Sequence, residues 1–281
     1  MPTYPTPSPV DLAINVQAGA IEVVAGDRQD TVVTVSPTNP AKEADRRGAE
    51  ATTVTFDGTR VTVVAPKPRL SLIGPNESVD VRVELPSGSR LTAEIAAGWV
   101  RTSGRLGATR LKAASGGASL GTTGDLWLRA GHGSVSVVAA DGDVEVTADH
   151  GQVRLGRVSG DAVLKASHGG VQVEESGGDL EARLADGDLE VSRALGSVVA
   201  KTAYGSIRLG RVEAGSVEAE SGYGEVVVGV RAGVPAWLDL SAKNGRVRNE
   251  LDADRAPAGG EPGVAVRVRT TFGDIDVRRA P

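Results

Sequence analysis

Glycine stands at 124, 133, 142, 151, 160, 169, 178, 187, 196 and 205, every ninth residue, and nothing else in the 281-residue chain constrains its fold as much. Each of these glycines is followed by one free position and then an apolar–any–apolar triplet, as in Gly133-Ser-Val-Ser-Val and Gly142-Asp-Val-Glu-Val. The beat reaches upstream through Gly98, Gly107 and Gly116, with one residue missing before Gly124, and continues less regularly through Gly215, Gly224 and Gly233. A period of this kind is the signature of a solenoid rather than of one or two globular domains. Alternating triplets read as short strands that turn one face inward, and the glycines supply turns with positive φ.

Two nonapeptides make one 18-residue coil of two strands and two turns. The inward residues of one coil are Leu126, Leu128, Ala130, Val135 and Val137, and those of the next are Val144, Val146, Ala148, Val153 and Leu155. Ala162, Leu164, Ala166, Val171 and Val173 follow, then Leu180, Ala182, Leu184, Leu189 and Val191. Stacked at ~4.8 Å, such coils form two parallel sheets across a thin core. The fold class expected is therefore all-β, a right-handed single-stranded parallel β-helix with about 18 residues per coil. Composition agrees: 40% of residues are apolar but only 3% aromatic, which suits a narrow core of Val, Leu and Ala.

The organisation expected along the chain has three parts. Residues 1–9 carry four prolines and read as a flexible tail. Residues 10–90 hold the first coil (Leu12, Ile14, Val16, Gly19, Ile21, Val23) and an insertion that caps it. Within the insertion, one helical turn is expected near 41–47, a hairpin over 54–63 around Asp57-Gly58, and irregular Pro-rich chain over 65–76. Residues 91–281 form the regular solenoid. There Leu238, Leu240 and Ala242, then Asn244-Gly245 and Val247, make one more coil, a Pro/Gly/Asp-rich loop follows at 252–263, and Val264 to Val277 close the array.

Two other repeat folds fail on spacing. The left-handed hexapeptide helix needs apolar residues six apart, but six beyond Leu126 stands His132. Calcium β-rolls need the string G-G-x-G-x-D, which never appears. The aspartates of Gly142-Asp143, Gly160-Asp161 and Gly178-Asp179 instead read as turn hydrogen-bonding residues. The order of Asp11-Leu-Ala-Ile-Asn-Val-Gln-Ala-Gly-Ala-Ile-Glu-Val, a loop insertion, Val79-Asp-Val-Arg-Val-Glu-Leu-Pro-Ser-Gly and serial x-Gly-x-Val-x-Val units resembles the bacterial putative-adhesin family of unknown function. Relatives of that family include the toast-rack domains attached to envelope-stress membrane proteins. The resemblance spans roughly 10–278, implies a β-solenoid used for interaction, and brings no catalytic residue with it.

The candidate site residues fall in columns. His132, His150 and His168, the only histidines, sit 18 apart, each just before a turn glycine. Such a ladder is a candidate metal or pH-responsive edge. The column continues as Asp186, Tyr204, Tyr223, Asn244 and Phe272, with His168 and Asp186 the expected polar pair. A basic column on the outer face of the first strand reads Lys112, Arg129, Thr147, Lys165, Arg183 and Lys201, and the acidic column beside it reads Glu145, Glu181, Glu218 and Asp239. Trp99 and Trp127 complete a candidate partner surface, with the 36–76 insertion folding back over them as the alternative, and Trp237 is expected under the 252–263 loop.

Exclusions follow from composition. A net charge of −5 argues against a general nucleic-acid binder. Absence of cysteine removes disulfides, thiolate catalysis and Cys-ligated zinc. No signal peptide and no run of ~18 apolar residues is found, so the expected compartment is the cytoplasm, without membrane insertion. Every Ser, His or Asp recurs as a column rather than as a singular constellation. The function expected is thus a non-enzymatic scaffold or protein-interaction module without a cofactor, able to self-associate through solenoid ends or faces. A ligand- or metal-responsive module on the His edge is the second reading, and a polysaccharide-active β-helix enzyme the third.

Overall fold

The computed structural model describes residues 2–66, 77–251 and 263–280. The chain is an all-β solenoid with a single short helix among the described residues. It divides into two compact units, Met1–Ala139 and Ala140–Pro281. Every inward residue expected from the repeat is buried, and the buried apolar side chains among the described residues are Val, Leu, Ile and Ala, with Pro86. Small and β-branched side chains fill a core only two sheets thick without the bulk of a ring.

In the first unit, strand Asp11–Gly26 lies parallel to Arg90–Ser103, from Asp11 opposite Arg90 to Val24 opposite Ser103. The insertion adds a layer on the far side of Asp11–Gly26. Arg60–Val64 pairs parallel with its first half and Val79–Pro86 with its second. Two antiparallel strands then finish that layer: Thr53–Phe56 along Arg60–Val64, and Asp30–Pro37 along Val79–Pro86. A change from parallel to antiparallel pairing ends the repeat and removes the template for another coil. The helix α1 (Glu43–Ala51) is longer than the single turn expected. Its buried Asp45 accepts hydrogen bonds from the Ser78 N–H (3.1 Å) and the Asn39 N–H (3.2 Å) and lies 3.0 Å from the Lys42 ammonium. The hairpin turning at Asp57-Gly58 forms as expected. Residues 67–76 of the expected Pro-rich stretch lie outside the described residues.

The flexible tail is a correction. Thr3–Pro5 pairs antiparallel with Asp30–Val32, the Thr6 and Thr31 hydroxyls meet at 2.8 Å, and the Tyr4 ring lies 4.9 Å from Phe56. Proline cannot serve a central strand but is tolerated on an outermost one, where its missing N–H is not needed.

In the second unit, strands Val144–His150, Ala162–His168, Leu180–Asp186 and Val198–Tyr204 pair in parallel at an 18-residue offset. Ser216–Tyr223 follows at 19. A second row runs Val153–Val158, Val171–Ser176, Leu189–Ala194, Ile207–Val212 and Val226–Arg231. The last coils do not stack in chain order, contrary to expectation. Val264–Phe272 lies on Ser216–Tyr223, and Ile275–Ala280 on Val226–Arg231. Ala236–Asn244 and Val247–Asn249 are placed outside them. Side-chain type explains the order. The inner row is uniformly β-branched and apolar, Val264, Val266, Val268, Ile275 and Val277, all fully buried, whereas the outer row, Leu238, Leu240, Ala242, Val247 and Asn249, ends on a polar residue. Residues 252–262 of the connecting loop lie outside the described residues.

Candidate functional site

The nine-residue beat contains two kinds of glycine. Gly151, Gly169, Gly187, Gly205, Gly224 and Gly273 have φ between 126° and 154°. At Gly187 a Cβ would also overlap the carbonyl oxygen of Gly169, so both conformation and space demand glycine. The alternate glycines, Gly160 and Gly178 among them, do not have positive φ. They are small because an aspartate of the preceding coil, with the backbone beside it, passes over them: Asp143 Oδ1 over Gly160 and Asp161 Oδ1 over Gly178. These carboxylates accept the backbone N–H of the next coil, Asp161 N–H to Asp143 (2.9 Å), Asp179 N–H to Asp161 (2.8 Å) and Ser197 N–H to Asp179 (2.8 Å). The Gly-Asp pairs are thus rungs of a hydrogen-bonded turn ladder. The expectation that every repeat glycine supplies positive φ holds for one set only.

The side chain before each positive-φ glycine projects from a strand end, and in-register pairing stacks these side chains. His150 and His168 lie face to face, 4.8 Å apart and within 6° of parallel. Tyr204 and Tyr223 stack at 5.1 Å, and Tyr223 and Phe272 at 4.8 Å. Stacked imidazoles present their nitrogens side by side rather than toward one point. Among the described residues no group of three His, Asp or Glu is placed to hold a metal ion. His132, in the first unit, ends its strand opposite Ser115. His168 and Asp186 are register neighbours, but among the described residues they form no hydrogen bond or ion pair. Parallel side chains in one column stack instead of pointing at each other.

The expected partner residues are less uniform than their column. Lys112 is paired with Glu94 (2.7 Å) and Arg183 with Glu181 (2.8 Å). Lys201 contacts Glu220 and Glu218, which hold its ammonium above the usual lysine range. Arg129 and Lys165 have no ion-pair partner among the described residues. Trp127 is half-buried beneath the Arg110 guanidinium, 3.9 Å from its ring. Trp99 is 62% exposed and lies across Gly117, while residues 67–76 of the insertion expected over it lie outside the described residues. Trp237 is 66% exposed, and its expected packing partner lies outside the described residues.

Sequence reasoning named the ring column but passed over what it does. Tyr204, Tyr223 and Phe272 are 57%, 50% and 43% exposed. Of three tryptophans, three tyrosines and two phenylalanines, five are therefore on the surface. Beside the column runs a groove of about 510 Å³, lined by Asp186, Asp188, Glu190, Tyr204 and Arg208 among others, with Gly170 leaving room at one wall. Arg208 is paired with Glu225 at 3.7 Å, so the carboxylates set the charge of the groove. The signal available in the sequence was the scarcity of aromatics combined with their position at strand ends, where no core exists to bury them.

An aliphatic parallel solenoid carrying its few rings on the outside defines a class, that of β-solenoids whose surface, not interior, holds the distinctive chemistry. Within that class the chain belongs to the Toastrack DUF4097 family, whose model matches residues 10–278. Among solved structures it is similar to a putative adhesin from Bacteroides fragilis, at 11% identity and a TM-score of 0.35, over 98% of this chain and 95% of that one. It is also similar to a putative cell adhesion protein from Clostridium sporogenes, at 13% identity and a TM-score of 0.22, over 99% and 98%. No curated protein matches it. No helix among the described residues is long and apolar enough to cross a membrane.

Proposed function

We propose that the chain is a non-enzymatic interaction module that binds a protein partner through ring side chains held on its surface. One observation carries the reading: five of its scarce aromatic residues are exposed although the core accepts only aliphatics. Exposed Trp and Tyr on a rigid strand end bring large contact area at little entropic cost, and such residues dominate binding energy at interfaces. The compensated charges of Lys112, Arg183 and Lys201 make the basic column a solvated face, so the rings rather than the cations are the contact. The test is affinity capture from the source cells with the wild-type chain and with a Trp99→Ser/Tyr204→Ser/Phe272→Ser variant of unchanged circular dichroism. The expected result is a defined set of proteins lost from the variant. Retention of the same set, or turnover of any polysaccharide by the purified chain, would overturn the proposal.

A further inference from the structure

The ring column of the second unit lacks one rung. His150 and His168 stack, and Tyr204, Tyr223 and Phe272 stack, but between the two groups the position is Asp186, which pairs in register with His168 on one side and Tyr204 on the other. Successive rungs are 4.8–5.1 Å apart. Skipping one rung leaves about 10 Å between the His168 and Tyr204 ring planes, twice the strand spacing. A carboxylate is shorter than an imidazole or phenol, so the outer part of that layer is unfilled. One planar group inserted there would lie about 5 Å from each ring, within the range of aromatic stacking. The groove described above opens onto this layer at Asp186 and Tyr204.

Three observations select the chemistry of the inserted group. The Asp186 carboxylate, unlike its backbone carbonyl, which accepts from the Gly169 N–H at 2.9 Å, has no hydrogen-bond or ion-pair partner among the described residues. The groove carries Asp188 and Glu190 in addition to Asp186, and none of the three is ion-paired among the described residues, while the one cation facing it is engaged by Glu225. The gap falls between two ring-bearing rungs, His168 and Tyr204, in register with Asp186. These features suit a cation, and a planar one. A guanidinium stacks on aromatic faces and meets a carboxylate through two parallel N–H bonds, whereas an ammonium is a compact, strongly hydrated point charge that does neither. We propose that the gap at Asp186 is a recognition slot for an arginine side chain of the partner, its guanidinium sandwiched between His168 and Tyr204 and bonded edge-on to Asp186. The slot rests on the reading of the ring column as an interaction surface.

The test needs no partner. The ¹⁵N-labelled chain is titrated with N-acetyl-arginine methylamide and, separately, with N-acetyl-lysine methylamide, and amide shifts are followed in the wild type and in Asp186→Asn. The expected result is saturable shifts confined to the neighbourhood of 168–170, 186–190 and 204–206. The arginine probe should bind at least several-fold more tightly than the lysine probe, and Asp186→Asn should weaken it about tenfold. Equal binding of the two probes, unchanged affinity in Asp186→Asn, or shifts spread over the other carboxylates would each overturn the slot. Because the probe is a small molecule, its failure removes the slot and leaves the capture experiment to decide the interaction reading. Loss of the interaction reading with a saturable titration would leave a binding site without a protein partner, and would overturn the assignment to a partner's arginine.

Discussion

The repeat glycines look equivalent in the sequence, yet two different constraints hold them. Gly187 is fixed by a φ of 148° and by the carbonyl of the coil before it. Gly178 is fixed by the Asp161 side chain that crosses it to reach the Asp179 N–H, together with the Gly160 backbone. Gly187→Ala is therefore expected to cost roughly 3 kcal/mol or more, from a conformation that L residues rarely adopt added to backbone overlap. Gly178→Ala should cost about 1–3 kcal/mol, typical of overpacking. The distinguishing measurement is a double-mutant cycle by denaturant unfolding. Asp161→Ala should relieve part of the Gly178→Ala penalty and none of the Gly187→Ala penalty, and additive behaviour at both positions would refute the distinction. Spacing alone could not separate these glycines. The separation depends on which coil's carboxylate reaches over which turn.

At the scale of elements, period and burial were legible almost residue by residue, because alternation dictates facing and a core two sheets thick accepts few side-chain types. Three features were not. The tail strand Thr3–Pro5 is hidden behind its prolines, which argue against a strand until an outermost position is available to it. The order of the last coils depends on comparing apolar rows: Val264–Val268 is the better inner layer, although Leu238 and Leu240 come first in the chain. The helix α1 is short and weakly apolar, and what holds it is Asp45. Burial pushes the Asp45 carboxyl up, but the Lys42 ammonium and the N–H groups of Ser78 and Asn39 outweigh this and hold it below the usual aspartate range. A group depressed in the folded state stabilises above its unfolded pKa, and that contribution is lost as pH falls through the folded value. Asp45→Ala should lower stability by on the order of 1–3 kcal/mol at pH 7. The difference from wild type should shrink below about pH 4. Thermal unfolding at pH 7 and pH 3 measures it, and an equal difference at both would show that the charge is not what ties the helix down.

At the scale of the whole molecule, a regular array would leave no singular place for function, and its regularity says only that the chain displays a surface. What breaks the regularity is small: one carboxylate in a column of rings, beside a groove whose free charges are negative. The column itself could be counted out of the sequence, from His150 through Asp186 to Phe272. That its rings stack, stand exposed and leave a ring-sized gap could not, because those are properties of register and of a turn geometry set by glycines elsewhere. Filling the gap tests the account most directly. In Asp186→Tyr the column becomes continuous from His150 to Phe272. The account predicts a higher melting temperature, from two new ring contacts worth about 0.5–1.5 kcal/mol each, together with complete loss of the arginine-probe shifts at Gly187 and Tyr204. A lower melting temperature, or arginine-probe shifts that persist at those residues, would contradict it.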